Sequence, residues 1–262
     1  MKQIKALLTS ALFALSTQAC AVGGIAHVVV FDRTEGRQLP VYHHQGRAWV
    51  VGKPGNEYAV RIRNRTGEDV LGVVSVDGVN VITGETAAPQ QSGYVLQPHD
   101  ALDVNGWRRN LGQTAAFYFT ALADSYAART GRPDNVGVIG IALFKKKRPP
   151  EPPAEIAPLG PLSRHAPAAS GGASSRDSAR AEAASRAFSE DRLGTGHGRV
   201  ETSHARYVGF ERETRHPQET IAIYYDSYRN LVARGVIREP APLPRPYPQP
   251  RPFPGFVPDP PA

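Results

Sequence analysis

The sequence predicts a mainly β fold: an antiparallel β-sandwich or jelly-roll-like domain, then a small C-terminal ββα element with a disordered linker and tail. The first observation is a series of short segments rich in Val, Ile, Tyr and Phe in residues 25–144, at the 8–12-residue spacing typical of sandwiches. The second observation is the distribution of Pro. The 262 residues include 25 Gly and 24 Pro, and most of the Pro follow Lys145, outside those segments. About 120 residues suffice for one such core.

The predicted strands are short and separated by turns. They cover residues 28–31, 39–44, 47–51, 58–63, 70–76, 79–82, 94–96, 101–104, 114–120 and 136–144. Dipeptides of Gln-Gly at 45–46, Asp-Gly at 77–78 and Asn-Gly at 105–106 predict tight turns, because such turns favour positive φ at their central positions. Residues 123–129 alone predict a helical turn in this half of the chain.

Side-chain alternation assigns the faces of one strand. Tyr58, Val60 and Ile62 alternate with Ala59, Arg61 and Arg63, so one face is expected to be buried and the other wet and basic. This period of two is incompatible with a helix and supports the sandwich prediction.

Residues 193–238 form the predicted ββα element. Residues 207–211 and 220–225 predict a strand pair, Asp226 predicts a helix N-cap, and Gly235 predicts the end of that helix. About 45 residues are too few for comfortable independent stability. We therefore expect the element to dock on the sandwich, adding strands to its edge.

Two further segments have too little apolar surface to form a core. Residues 145–192 are rich in Lys, Pro, Ala, Ser and Arg and predict a flexible linker. Residues 239–262 carry Pro at alternate positions and predict an extended polyproline II tail, either a stiff spacer or a ligand for an aromatic groove on a partner.

The N-terminus predicts export. Residues 1–21 combine Lys2 and Lys5, an apolar run at 6–15 and small residues before a cleavage point after Ala21, which is typical of a signal peptide. The run is too short to span a bilayer. The expected location is therefore periplasmic or secreted. The alternative is a lipid anchor through Cys20, the chain's single Cys.

A block of motifs resembles uncharacterised secreted proteins of proteobacteria. Its segments are VSVDGVNVITG at 74–84, GYVL at 93–96, NGWR at 105–108, AAFYF at 115–119, SYAARTG at 125–131, NVGVIGIALF at 135–144, GTGHGR at 194–199 and YYDSYRNLVARGV at 224–236. This resemblance implies that both ordered regions belong to one protein. It implies no site residues, since no established activity accompanies the group.

Motifs for catalysis and metal binding are missing from the sequence. It has no G-x-S-x-G, H-E-x-x-H, phosphate-loop or EF-hand pattern, so we expect no cofactor. The weak metal candidates are His197, His204 and His216, near Glu201, because imidazole and carboxylate suit zinc. Their spacing fits no known site, and surface histidines in loops are the simpler interpretation.

A run of four cations is the strongest charge feature. Lys145, Lys146, Lys147 and Arg148 predict a patch for an anionic partner, either an anionic envelope polymer or an envelope protein. The alternative is a solubilising strand exit that discourages edge pairing. The net charge of +7 falls to +5 without Lys2 and Lys5 of the predicted signal peptide, and this charge with acids interspersed argues against nucleic-acid binding.

These patterns together predict an exported envelope protein with a binding or structural role and no identified catalytic site. The competing hypothesis is a hydrolase or carbohydrate-active protein with a dispersed loop site. It would use loop acids such as Asp100, Asp103, Asp124 and Asp134, because glycoside hydrolysis needs two facing carboxylates. Neither the strand order nor the oligomeric state can be read from the sequence.

Overall fold

A computed structural model describes residues 22–148 and 192–238. These residues form two sheets and few helices, so the predicted mainly β, sandwich-like fold class is confirmed. The predicted signal peptide at 1–21 with Cys20, most of the predicted linker at 145–192 and the Pro-rich tail at 239–262 lie outside the described residues.

The strands follow one another with few interruptions. In chain order they are β1 Ala26–Asp32, β2 Arg37–Gln38, β3 Val41–His44, β4 Arg47–Val51, β5 Glu57–Asn64, β6 Val70–Val76, β7 Val79–Asn80, β8 Tyr94–Leu96, β9 Ala101–Val104, β10 Gly106–Asn110, β11 Gln113–Ala121, β12 Val138–Lys145, β13 Leu193–Thr202 and β14 Glu219–Asp226. The α-helices are α1 Tyr126–Arg129 and α2 Tyr228–Ala233.

The first sheet contains β1, β2, β5, β9, β10, β11 and β13. β11 pairs with β13 on one side and with β10 and then β5 on the other. The consecutive strands β9 and β10 lie between β5 and β11. β9 pairs with β5, and β10 pairs with β11. The predicted tight turn at residues 105–106 is therefore wrong. An Asn-Gly dipeptide can also mark a close approach of two backbones, and a Cβ on Gly106 would lie 2.0 Å from the Ala115 carbonyl oxygen.

The second sheet has the order β3, β4, β14, β12, β6, β7, with β8 also bonded to β6. All its pairs are antiparallel except β4 with β14. The predicted turns at residues 45–46 and 77–78 join β3 to β4 and β6 to β7, with φ of 48° and 71° in the first and 52° and 73° in the second. Both turn predictions are confirmed.

The C-terminal strands differ from the sequence prediction. Residues 207–211 form no strand, and the first strand of this region is instead β13 in the glycine-rich run. β13 and β14 do not pair with each other but join different sheets, and β14 lies inside the second sheet between β4 and β12. Glycines leave no side-chain alternation to read, which is why the sequence pattern missed β13.

Tyr118 explains how a strand can tolerate so many glycines. A Cβ added at Gly196 would lie 2.2 Å from Cζ of Tyr118, and one at Gly198 would lie 3.2 Å from Cδ1 of the same ring. The ring of this β11 residue therefore covers the glycines of the neighbouring strand. Aromatic cover of this kind supplies the packing that a glycine lacks.

The core lies between the sheets. As predicted, Tyr58, Val60 and Ile62 of β5 are fully buried and Arg63 of the opposite face is exposed, but Ala59, predicted to be wet, is buried. The rings of Tyr58 and Phe119 stack at 4.3 Å, and Tyr225 of β14 packs against Phe119 at 5.4 Å. These aromatic contacts bind the C-terminal strand β14 to the first sheet.

A second apolar cluster fixes α2 on the outer face of the second sheet, where Trp49 packs with Leu231 and Ile237. The helix is capped by Ser227, whose Oγ accepts from the Asn230 amide at 3.3 Å. The predicted N-cap Asp226 is therefore wrong by one residue. The positive φ of Gly235, 71°, agrees with its predicted role at the helix end.

Candidate functional site

Asp77 lies at the centre of a buried polar cluster that joins both sheets. It occupies the turn after β6 and is only 1% exposed. Its Oδ2 accepts from the Thr195 amide at 2.8 Å, and its Oδ1 accepts from the Gly137 amide at 2.9 Å. The Tyr225 hydroxyl donates to Oδ1 at 2.5 Å. Three donors from different segments of the chain thus converge on one carboxylate.

The cluster continues as a chain of hydroxyl groups. Oγ1 of Thr195 lies 2.7 Å from the Tyr225 hydroxyl and 2.6 Å from the Tyr58 hydroxyl. Since Tyr225 uses its proton on Asp77, it accepts from Thr195, and Thr195 in turn accepts from Tyr58. Every member is therefore satisfied, as buried polar groups must be.

Burial raises the pKa of Asp77 to about 6, although the hydroxyl of Tyr225 and the amides of Gly137, Thr195 and Val138 act in the opposite direction. Burial and the charge of Asp77 also raise the pKa of both tyrosines, Tyr58 and Tyr225, well above their usual value. The tyrosines therefore stay neutral donors, whereas Asp77 can change its protonation near neutral pH.

A groove opens at the surface directly above this cluster. Its volume is about 190 Å³, and three arginines and three aromatic residues are among its lining residues. We call it the arginine groove; it is lined by Arg47, Trp49, Asp134, Asn135, Val136, Gly137, Val138, Arg192, Leu193, Tyr224, Tyr225, Asp226 and Arg234. Gly137 and Tyr225 belong both to this lining and to the contacts of Asp77.

Aromatic rings and local bonds position the arginines of the groove. The rings of Trp49 and Tyr224 lie 5.0 Å apart, and the guanidinium of Arg47 lies over Tyr224 at 5.0 Å. Arg192 donates from Nη2 to the Val136 carbonyl at 2.5 Å. Among the carboxylates of residues 22–148 and 192–238, none forms an ion pair with Arg47 or Arg192.

Arg234 differs because it has an internal partner. Its Nη2 lies 3.3 Å from Oδ2 of Asp226, and its guanidinium lies 5.7 Å from the Trp49 ring. Oδ1 of Asp226 also accepts from the Ser227 amide at 2.8 Å and from Nδ2 of Asn230 at 2.8 Å. Asp226 is thus committed to α2 and to Arg234, which leaves the exposed Asp134 as the other acid of the groove.

The predicted basic patch lies elsewhere and is largely paired. Lys146 contacts Asp69 at 2.9 Å, Lys147 pairs with Glu211, and Arg148 pairs with Glu68. Lys145 is the last residue of β12, where its amide donates to Gln218. These acids offset three of the four positive charges. A ligand some distance away meets a nearly neutral ion pair in place of a free cation.

The candidate metal ligands do not converge. His197 lies on β13, where its ring stacks on Tyr126 at 5.7 Å, while His204 and His216 lie in the segment between β13 and β14. In the two described ranges, no three His, Cys, Asp or Glu side chains form a group that could hold a metal ion. Burial and the charges of Arg109 and Arg129 lower the pKa of His197, and those charges would also repel a cation.

The loop acids considered for hydrolysis lie in separate places. Asp103 on β9 forms a bidentate pair with Arg61 at 2.7 and 2.8 Å. Asp100 accepts from the adjacent Ala101 amide at 2.8 Å, and only Asp134 lines the arginine groove. The second acid of the groove, Asp226, was not among these candidates.

Sequence reasoning missed the arginine groove entirely. Arg47, Arg192 and Arg234 are separated by more than 40 residues from one another, and no motif surrounds them. The structure brings them together because β4 pairs with β14 while β13 begins beside the turn at 134–137. Only the tyrosine pair at 224–225, on a predicted strand, gave any signal of an aromatic wall.

No family model matches the chain, and neither the curated proteins nor the solved structures contain a significant match. In the described part of the chain, no helix is both long enough and apolar enough to cross a membrane.

Proposed function

We propose that this protein is an exported, non-enzymatic binding protein of a Gram-negative envelope, and that its arginine groove takes an anionic group carried by an envelope polymer. One observation carries the proposal: Arg47 and Arg192 line the groove with no ion-pair partner among the described carboxylates. Guanidinium groups bind carboxylate and phosphate through paired N–H donors, which gives both strength and orientation.

The aromatic wall supports a ligand that is more than a simple ion. Trp49 and Tyr224 lie side by side, and Arg47 lies over the Tyr224 ring. Stacking on an aromatic ring holds a guanidinium in a fixed orientation with little loss of hydration. Trp49 is only 7% exposed, so the partly exposed Tyr224 is the one of these two rings that could contact the part of the ligand next to its charge.

The size of the groove limits what it can hold. Its volume of about 190 Å³ is smaller than typical small-molecule pockets of roughly 300–1,000 Å³. It therefore suits one pendent acidic residue, such as a uronic acid, better than a whole enzyme substrate. The groove lining has two acids, but Asp226 is already bound to Arg234 and Asn230, so Asp134 has no second free carboxylate there, which favours binding over hydrolysis.

The export part of the proposal rests on the N-terminal sequence. Residues 1–21 have the charge, apolar core and small residues of a signal peptide. The resemblance to secreted proteins of proteobacteria agrees with this location. The patch at Lys145, Lys146, Lys147 and Arg148 is not part of the proposed site, because three of its cations have acidic partners.

The test measures binding of a uronic acid to the chain from residue 22 onward. Galacturonic acid is titrated by NMR or calorimetry, with neutral galactose as the ligand control. Arg47→Gln with Arg192→Gln is expected to weaken galacturonic acid binding about tenfold, because two partly exposed charge contacts are lost. Arg63→Gln is the matched control: it removes an exposed β5 arginine remote from the groove lining.

Equal affinity for galacturonic acid and galactose would contradict the proposal, as would unchanged binding in the double variant. A loss of the same size in the Arg63→Gln control would point to general charge attraction and would also contradict it. Folding of every variant is checked by circular dichroism and thermal unfolding before the titration.

A further inference from the structure

The short helix α1 begins close to the arginine groove. The lining strand β13 packs against the start of α1, since a Cβ on Gly194 would lie 2.6 Å from Cβ of Ser125 and 2.8 Å from Cγ1 of Val136. Ser125 is the N-cap of α1, with Oγ accepting from the Ala128 amide at 3.1 Å. The helix therefore starts directly beside the groove.

α1 leads from the groove to a second pair of cations. Its four residues advance about 6 Å and end at the exposed Arg129. Next to it, Tyr126 stacks on His197 at 5.7 Å with an interplanar angle of 29°, and Tyr126 also contacts Trp107 at 4.7 Å. Arg109 on β10 is exposed and acts on the same imidazole as Arg129.

This second pair resembles the groove in composition. Arginines again flank aromatic rings, and among the described carboxylates none forms an ion pair with Arg109 or Arg129. Arg33, Arg61 and Arg199 each pair with an acid, whereas Arg63 of β5 forms no ion pair with a described carboxylate either, so it is the nearness of Arg109 and Arg129 to one another at His197 that distinguishes them. Two exposed acids are close to this surface: Asp134 lines the groove together with the buried Asp226, and Asp124 precedes Ser125, the N-cap of α1.

We propose that the arginine groove and the Arg109–Arg129 pair bind one linear acidic polysaccharide, which would run along β13, on a track from Leu193 in the groove lining to His197, the residue beside Arg109 and Arg129. This inference rests on the proposed function of the groove and extends it from one acidic residue to a polymer. Regularly spaced carboxylates on one chain would engage both cation pairs together, and the second contact is then intramolecular. Tyr126 is covered by Trp107 and His197, so the exposed His197 ring is the one that would offer a flat face to a sugar.

A polysaccharide fits these observations better than a nucleic acid does. The arginines are few and are separated by aromatic surface, whereas a nucleic acid presents a closely spaced charge at every nucleotide and calls for a dense basic stripe. The two exposed acids beside the track would repel such a charge density more than they repel isolated carboxylates.

The test compares a trimer and a dodecamer of galacturonic acid. We expect the dodecamer to bind at least about tenfold more tightly than the trimer, because it reaches both cation pairs. Arg109→Gln with Arg129→Gln is expected to remove most of this tenfold advantage while leaving trimer affinity unchanged. Arg63→Gln again serves as the matched charge control.

The failures of the two proposals are distinguishable. If the trimer binds through Arg47 and Arg192 but the dodecamer gains nothing, the groove stands and the track is overturned. The track is likewise overturned if the Arg109 and Arg129 double variant weakens trimer and dodecamer equally. Tighter binding of a thymidine dodecanucleotide than of the galacturonate dodecamer would replace the polysaccharide by a nucleic acid and overturn the inference. Loss of all galacturonate binding would instead refute the proposed function.

Discussion

The amide of Thr195 donates to the carboxylate of Asp77 over 2.8 Å, although 118 residues separate the two along the chain. Thr195 belongs to β13 of the first sheet, and Asp77 follows β6 of the second. The N–H of an edge strand is thus satisfied by a side chain from the opposite sheet. This bond, with the hydroxyl chain beyond it, closes one side of the sandwich and supports the floor of the arginine groove.

The protonation of Asp77 is expected to make stability depend on pH. Its pKa rises from 3.8 to about 6 on folding, so between these values the folded state binds a proton that the unfolded state lacks. The Asp77 contribution to stability therefore increases as pH falls from 7 toward 4, by about 3 kcal/mol in full. It is lost again as pH rises through 6.

Urea unfolding of the parent and of Asp77→Asn at about pH 7.5 and about pH 5 checks this expectation. The difference between the two proteins isolates Asp77 from acids such as Glu35 and Glu57, whose lowered pKa values act in the opposite direction. A parent-minus-variant difference that does not change between the two pH values would contradict the role of Asp77.

Removing the hydroxyl of Tyr225 is expected to destabilise the fold. Tyr225→Phe deletes a donor to a buried carboxylate and an acceptor for Thr195, which costs about 1.5–3 kcal/mol in the free energy of unfolding. Tyr224→Phe is the matched control, because that hydroxyl makes no hydrogen bond within the described residues. Equal unfolding midpoints for both variants would refute the importance of the buried cluster.

Gly106 is expected to be essential for the close pairing of β10 with β11. Gly106→Ala places a Cβ 2.0 Å from the backbone oxygen of Ala115, so two strands must separate, at a cost of about 3 kcal/mol or more. Gly67→Ala is the control, since nothing lies within 4 Å of its Cβ position. Thermal unfolding compares the two variants. A similar melting temperature would show that β10 and β11 can separate at little cost in stability, which would contradict the prediction.

The C-terminal strands β13 and β14 are expected to stay bound to the strands of residues 22–148 after the chain is cut between the two parts. β14 is bonded on both sides, to β12 and β4, and β13 is bonded along its length to β11. A protease site inserted between Ser174 and Ser175, within the predicted linker, should give two fragments that co-elute at native pH. They should separate only in denaturant. Fragment separation without denaturant would contradict the integral role of these strands.

Prediction from sequence succeeded where one side-chain pattern dominates. The alternation at 58–63 and the turn dipeptides at 45–46 and 77–78 identified strands and hairpins, because strand periodicity and positive φ are local properties. It failed at residues 194–198, where glycines hide a strand, and at 105–106, where an Asn-Gly pair serves backbone approach instead of a turn.

The candidate site could not be derived in the same way. In the sequence, Asp77 predicts only a turn, since nothing in its neighbours shows that the Thr195 amide and the Tyr225 hydroxyl approach it. The arginines of the groove are likewise ordinary in sequence. Whether they can bind an anion depends on which of them lack an acidic partner, and that pairing is a property of the folded surface.

The sequence by itself determined the mainly β class, the hairpin turns at 45–46 and 77–78 and the division into apolar and Pro-rich segments, because composition and local periodicity encode each of them. Export stays a prediction from the N-terminal pattern. Only the tertiary structure decided that β14 lies inside the second sheet and that β13 lies at an edge of the first, as well as the burial of Asp77 beneath a groove of arginines. Strand order and charge pairing depend on contacts between residues far apart in the chain, and these are fixed only when the whole core packs.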